Sequence, residues 1–210
     1  MEHIDPGNCL GKKLLILGDV NTGKTTLCRN ILEALCHLGL GSRIVILDLA
    51  PHIPEELSFK RGLPGVGGSL IPPENCGALY IRDPLDAPRL SSSSEDEAMQ
   101  KARANCLVIE ERFRLLDLKR RSILFLNDLT MYLQAGTAED LIERVGQAGT
   151  IVANGYWGER LGGGKLSLRE RSETDKVRAW FASEGTVLTL PSSATASPLP
   201  EARSVSHKSP

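Results

Sequence analysis

One stretch constrains the fold of this chain more than any other: Gly18-Asp19-Val20-Asn21-Thr22-Gly23-Lys24-Thr25. It matches G-x-x-x-x-G-K-[ST] at every fixed position. Its flanks give it a structural setting. Lys13 to Leu17 reads as an apolar buried strand, and after the stretch Leu27, Ile31, Leu35 and Leu38 recur at helical spacing until Gly39 can end the helix. Strand, glycine turn and helix follow one another in the order the pattern requires. The G-x-G-x-x-G spacing of a dinucleotide site is absent there.

The residue types in the turn fit one chemistry. Gly18 and Gly23 let the backbone curl so that successive N–H groups point into one concavity, a nest for an anion. Asp19, Val20, Asn21 and Thr22 form the curl, and Thr26 follows in the first helical turn. These residues, with Lys24 and Thr25, are the candidate nucleotide-binding set. Lys24 supplies a compact positive charge for β- and γ-phosphates and is a candidate catalytic residue, while the Thr25 hydroxyl suits Mg²⁺. The helix that starts here directs its positive end at the same point.

Such a site needs a carboxylate at the end of a neighbouring strand to hold the metal. Two acids stand in that position. Asp48 closes the apolar run Arg43 to Asp48, and Asp128 closes Ser122 to Asp128. Asp128 is a candidate for metal binding and catalysis, and Asp48 for metal binding. Asn127, just before Asp128, can accept or donate hydrogen bonds but brings no charge. After a strand at 150–153, a glycine-rich loop from Gly155 to Gly164 carries Tyr156 and Trp157, a candidate base platform. Arg160, Lys165, Arg169 and Arg171 follow it as candidates to neutralise charge, or as a solvated face.

The remaining elements alternate. Ala78 to Arg82 reads as a short strand, and Ser94 with Glu97 forms a capping box for a helix whose apolar stripe extends to about Leu118. Thr137 caps a helix with Leu141, Ile142 and Val145 inward. Ser172 is read as the cap of a last helix that ends at Gly185, before a final strand over 186–190. The Pro- and Gly-rich connection over 49–76 is too long to be a plain loop, which makes it functional or mobile. Alternation of this kind predicts a three-layer α/β/α sandwich with a mainly parallel sheet. Domain organisation reads as a loose leader over 1–11, one domain over 12–191 and a disordered Ser-, Pro- and Ala-rich tail over 192–210.

Composition narrows the function classes. A net charge of −1 gives no global pull toward nucleic acid or an anionic surface. No apolar run reaches the length of a membrane span and no signal-peptide core precedes Gly11, so a cytoplasmic location is expected. The five cysteines lack C-x-x-C spacing and read as reduced thiols, with Cys28 and Cys36 packed on the first helix. The four histidines are scattered, which argues against zinc or imidazole catalysis.

Residues Gly18 to Leu27, together with Ile46-Leu47-Asp48-Leu49-Ala50-Pro51 and Pro64-Gly65, resemble the polynucleotide 5′-hydroxyl kinase and RNA-cleavage-factor family over about the first third of the chain. That resemblance implies ATP or GTP binding and RNA 5′-hydroxyl phosphorylation. The family's second acid falls on Ala50, and its Gly-Gln pair falls near His52 and Ile53. The second half, from Leu126-Asn127-Asp128 to Asn154-Gly155, is similar in layout to corrinoid adenosyltransferases and other RecA-like ATPases. As a whole the chain resembles the P-loop NTPase superfamily. The resulting expectation is an ATPase that binds MgATP and hydrolyses it on behalf of a protein or RNA client, as a monomer or an oligomer. A nucleotide-dependent switch and a phosphoryl or adenosyl transferase are the alternatives.

Overall fold

A computed structural model of the chain describes residues 6–53, 68–161 and 163–191. Its strands are β1 (Lys13–Gly18), β2 (Ile44–Asp48), β3 (Leu79–Arg82), β4 (Ile123–Asn127), β5 (Thr150–Tyr156) and β6 (Gly185–Leu190). They form a single sheet in the order β3-β2-β4-β5-β1-β6, with every neighbouring pair parallel. The helices are α1 (Lys24–His37), α2 (Pro88–Ser91), α3 (Glu95–Phe113), α4 (Thr130–Leu133), α5 (Ala138–Val145) and α6 (Lys165–Glu184). The four inner strands are apolar along nearly their whole length because both of their faces are covered.

Side-chain alternation along the strands divides the core in two. On one face Leu14, Ile16, Ile46 and Phe125 meet Cys28, Ile31, Leu32 and Leu35 of α1. On the other, Leu15, Leu17, Leu47 and Leu126 meet Ile109 and Phe113 of α3, Tyr132 of α4, Leu141 of α5 and Phe181 of α6. Each fully buried side chain of this size contributes about 1.5–3 kcal/mol of transfer free energy. The result is a three-layer α/β/α sandwich.

Topology places the site. The chain leaves β1 through α1 on one face and reaches β2 beyond β5 and β4. It leaves β5 through α6 on the other face and reaches β6 beyond β1. Neighbouring strands whose connections depart in opposite directions leave a crevice at their C-terminal ends, where ligands of such sheets bind.

Several elements differ from the sequence expectation. Pro6–Cys9 is a 3₁₀ turn with Cys9 buried against α1, in place of a loose leader to Gly11. β5 extends to Tyr156, so Gly155 and Tyr156 belong to the strand rather than to the loop. α6 begins at Lys165, seven residues before the expected cap, and Ser172 lies inside it. α3 stops at Phe113, short of the expected end near Leu118, and buries the stripe Ala98, Ala102, Cys106, Ile109 and Phe113. The Glu97 carboxylate accepts from Ser93 N–H and Oγ, one residue before the expected partner, while Ser94 Oγ accepts from Glu97 N–H at 3.2 Å. The two short helices α2 and α4 carry too few turns for a periodic signal. The proposed leader before Pro6, most of the Pro- and Gly-rich connection (54–67) and the tail over 192–210 lie outside the described residues. Among the described residues, the five cysteines are thiols, and no helix is long and apolar enough to cross a membrane.

The end of the sheet opposite the crevice is tied by one side chain. Arg121 Nη1 lies 2.8 Å from the Ile44 carbonyl and 3.1 Å from those of Ser42 and Gly77, joining the starts of β2, β3 and β4. Charged donors to carbonyls are worth about 1.5–3 kcal/mol. Arg121→Ala is therefore expected to lower unfolding stability by about 2 kcal/mol in urea titration, with ligand binding at the far rim unaffected.

Candidate functional site

The turn after β1 curls as its sequence demands. Gly23 has φ 86°, a left-handed conformation that suits glycine, and Asn21 adopts φ 59°. α1 starts at Lys24 with no side-chain cap and no acid in its first turn. Most helices satisfy their first N–H groups with a Ser, Thr, Asp or Asn cap. Here those groups and the positive end of the helix dipole border a cavity of about 400 Å³. Val20, Asn21, Thr22, Gly23, Lys24, Thr25 and Thr26 all line it, and Asn127 and Asp128 line its wall at the β4 end.

Asp19 braces the curl instead of lining the cavity. Its carboxylate accepts from Val20 N–H at 2.7 Å and Glu159 N–H at 3.3 Å, joining the turn to the loop after β5. Its carbonyl accepts from Lys24 Nζ at 2.5 Å and Thr22 Oγ1 at 3.0 Å. A Cβ at Gly158 would stand 2.2 Å from Asp19 Cγ. Gly158→Ala must therefore displace the Asp19 carboxylate, and with the cavity read as the nucleotide site expected from the sequence, at least about a tenfold loss of nucleotide affinity by calorimetry should follow at unchanged helical content.

Lys24 and Asp128 face each other's charge across the cavity. Burial lowers the Lys24 ammonium from its ordinary value, against the pull of Asp128 and Asp19. Burial pushes the Asp128 carboxyl up, against the opposing effects of Lys24 and the Thr130 hydroxyl, which donates to Asp128 Oδ1 at 3.0 Å. Asp128 also has φ 57°, outside the regular strand and helix regions, and this turns the chain sharply off β4.

Asp48 stands elsewhere. It is fully buried and does not line the cavity. Its carboxylate accepts from Tyr80 Oη at 2.7 Å, Leu70 N–H at 2.9 Å, Ala50 N–H at 3.2 Å and Asn127 Nδ2 at 2.6 Å. Burial, then the neighbouring Asp48, pushes the Tyr80 phenol up to about 12, which keeps it a donor. Asp48 starts a buried polar row. Asn127 Nδ2 also donates to the Gly68 carbonyl, Asn127 Oδ1 accepts from Asn154 Nδ2 at 2.7 Å, and Asn154 Oδ1 accepts from Asp128 N–H at 3.0 Å. The row crosses β3, β2, β4 and β5 and ends by fixing the backbone of Asp128. Asn127, expected beside the metal acid, is its central link.

Of the basic and aromatic candidates over 156–171, Tyr156 lines the cavity and the others do not. Trp157 carries Arg171 over its ring at 3.7 Å. Arg169 donates to the Ala135 and Gly136 carbonyls. The exposed Arg160 and Lys165 lie outside the lining. Sequence reasoning missed three residues near the glycine turn: Arg29 and Asn154, which line the cavity, and Arg89, which is paired with Glu170 at 2.8 Å beside Tyr156. Asn154 had a signal, as the polar residue closing the run Ile151-Val152-Ala153. The two arginines had none.

Among the described residues no group of three or more His, Cys, Asp or Glu side chains could hold a metal ion by itself. The oxygens of Thr25 and Asp128 in the cavity wall are the hard donors Mg²⁺ prefers, and a phosphate-bound Mg²⁺ needs few protein ligands. Compared with known proteins, the chain matches no family model and no curated protein.

Proposed function

We propose that the chain is a P-loop NTPase that binds a nucleoside triphosphate with Mg²⁺ and cleaves the bond to its γ-phosphoryl group. The observation that carries this reading is the uncapped start of α1, with Lys24 at its head, opening onto a cavity of about 400 Å³. A polyphosphate is the ligand whose charge and acceptor oxygens answer that arrangement. Lys24 exchanges its bond to the Asp19 carbonyl for phosphate oxygens. The backbone N–H groups of the curl hold the β-phosphate, and Asn21 and Thr22 close over the chain of phosphates. Thr25 and Asp128 would hold Mg²⁺, which when bound draws charge from the β- and γ-phosphates. The polar row from Asp48 to Asn154 keeps Asp128 in its strained position, so the acid is set before the ligand arrives. Catalysis of this kind rests on positioning and charge neutralisation.

Incubation of the purified chain with MgATP, followed by chromatography of the nucleotides, tests the reading. ADP accumulation that needs Mg²⁺ is expected. No ADP above buffer, together with no binding heat for MgATP, would overturn it.

A further inference from the structure

Beside the phosphate cavity lies a second, smaller one of about 40 Å³. The two share Asp128, Tyr156 and Leu161 in their walls. The small pocket is walled mainly by apolar groups, among them Ile53, Ala87, Leu90 and Met131, and Gln134 stands at one side. Gln134 is 2% exposed. Its Nε2 donates to Glu170 Oε2 at 2.9 Å, which fixes the amide orientation, and its Oε1 has no hydrogen-bond partner. A buried acceptor without a donor costs about 1–3 kcal/mol, so an orphan in a cavity wall points to a ligand that supplies the donor. Nearby charge is balanced: Arg89 is paired with Glu170, and Asp128 faces Lys24.

We infer that this pocket is an acceptor subsite for the terminal hydroxyl of a small neutral alcohol. The inference rests on reading the larger cavity as a triphosphate site. Balanced charge argues against an ionic ligand. Two acceptors, Gln134 Oε1 and the Asp128 carboxylate, call for a donor, and the apolar walls call for a carbon stem. Water would satisfy the acceptors but leave the apolar walls without a partner. The subsite makes the reaction a phosphoryl transfer. The hydroxyl oxygen forms a bond to the γ-phosphorus as the bond from that phosphorus to the bridging oxygen breaks. The nucleoside diphosphate departs with the electron pair, and the hydroxyl proton passes to a non-bridging oxygen of the transferred phosphoryl group.

Two arms test the subsite on the full chain. In the first, 1-propanol and 1,2-propanediol are titrated without nucleotide while the amide resonances of Thr130, Gln134 and Tyr156 are followed by NMR. Saturable shifts are expected, weakened at least fivefold in Gln134→Leu and in Ala87→Leu, which fills the pocket from the α2 side. No saturable shift, or shifts unchanged in a folded variant, overturns the subsite. In the second arm, ³¹P NMR follows MgATP with each alcohol. An alkyl phosphate is expected beside ADP, and inorganic phosphate as the sole new phosphorylated species assigns the pocket to water and overturns the proposal. Should calorimetry find no MgATP binding, the triphosphate reading falls while the first arm still decides the pocket.

Discussion

Replacing Lys24 by alanine is expected to weaken MgATP binding by about a hundredfold or more, with the fold intact. The argument is electrostatic. Lys24 is the cation at the head of an uncapped helix, and burial already lowers its proton affinity, so its charge is poorly solvated there. A phosphate recovers that lost solvation, and a charge-assisted contact of this kind is worth about 2–3 kcal/mol, or about two decades in Kd. In the absence of nucleotide the ammonium donates only to the Asp19 carbonyl among the described partners. The melting temperature should therefore move by no more than about 3 °C. Calorimetry and thermal melts on the same sample separate the two effects. Unchanged affinity in a folded Lys24→Ala protein would remove Lys24 from the site.

The second large effect separates the two strand-end acids. Asp128→Asn is expected to cut turnover by about a hundredfold or more and to leave the protein as stable or more so. Burial raises the carboxyl of Asp128 in the folded state. Its contribution to stability is then fully present below the ordinary carboxylate value and lost as pH rises through the raised one. An asparagine escapes that loss, so the variant should melt higher than the wild type near pH 7, with the gap closing toward pH 4. Asp48→Asn should do the opposite. Its carboxylate accepts four donors, and an amide in its place turns an N–H₂ group toward some of them. The expected loss is about 2–4 kcal/mol of stability, with residual turnover proportional to folded protein. Equal turnover loss per folded molecule would return Asp48 to the reacting centre.

Much of this architecture was legible in the residues because the signals were local. The apolar runs of β1, β2 and β4, the stripe of α3 and the glycine turn at Gly39 each declare themselves within one element. The glycine turn from Gly18 to Thr25 is also a contiguous pattern, and all but Gly18 and Asp19 of its residues line one cavity. What stayed hidden depends on strand order. Two acids at strand ends look alike in one dimension. The sheet sends Asp48 into a network with Tyr80 and Asn127, and Asp128 to the cavity wall, because β4 lies beside β5 and β2 does not. Arg89 sits on the short helix α2 and Gln134 directly after α4, neither with a periodic signal, and only packing against α6 brings them to Glu170. The start of α6 was misplaced because Ser172 offers a cap chemistry that the preceding turn at Gly164 makes unnecessary.

The central claim is that the curl at Gly18 to Thr25 holds a polyphosphate. Competition by inorganic tripolyphosphate against a fluorescent ATP analogue, with Mg²⁺ present, tests it most directly. The account predicts that tripolyphosphate displaces the analogue fully from the wild-type chain, that adenosine does not, and that ATP competes more strongly than ADP. Displacement by adenosine as strong as that by ATP, with tripolyphosphate inert, would contradict it.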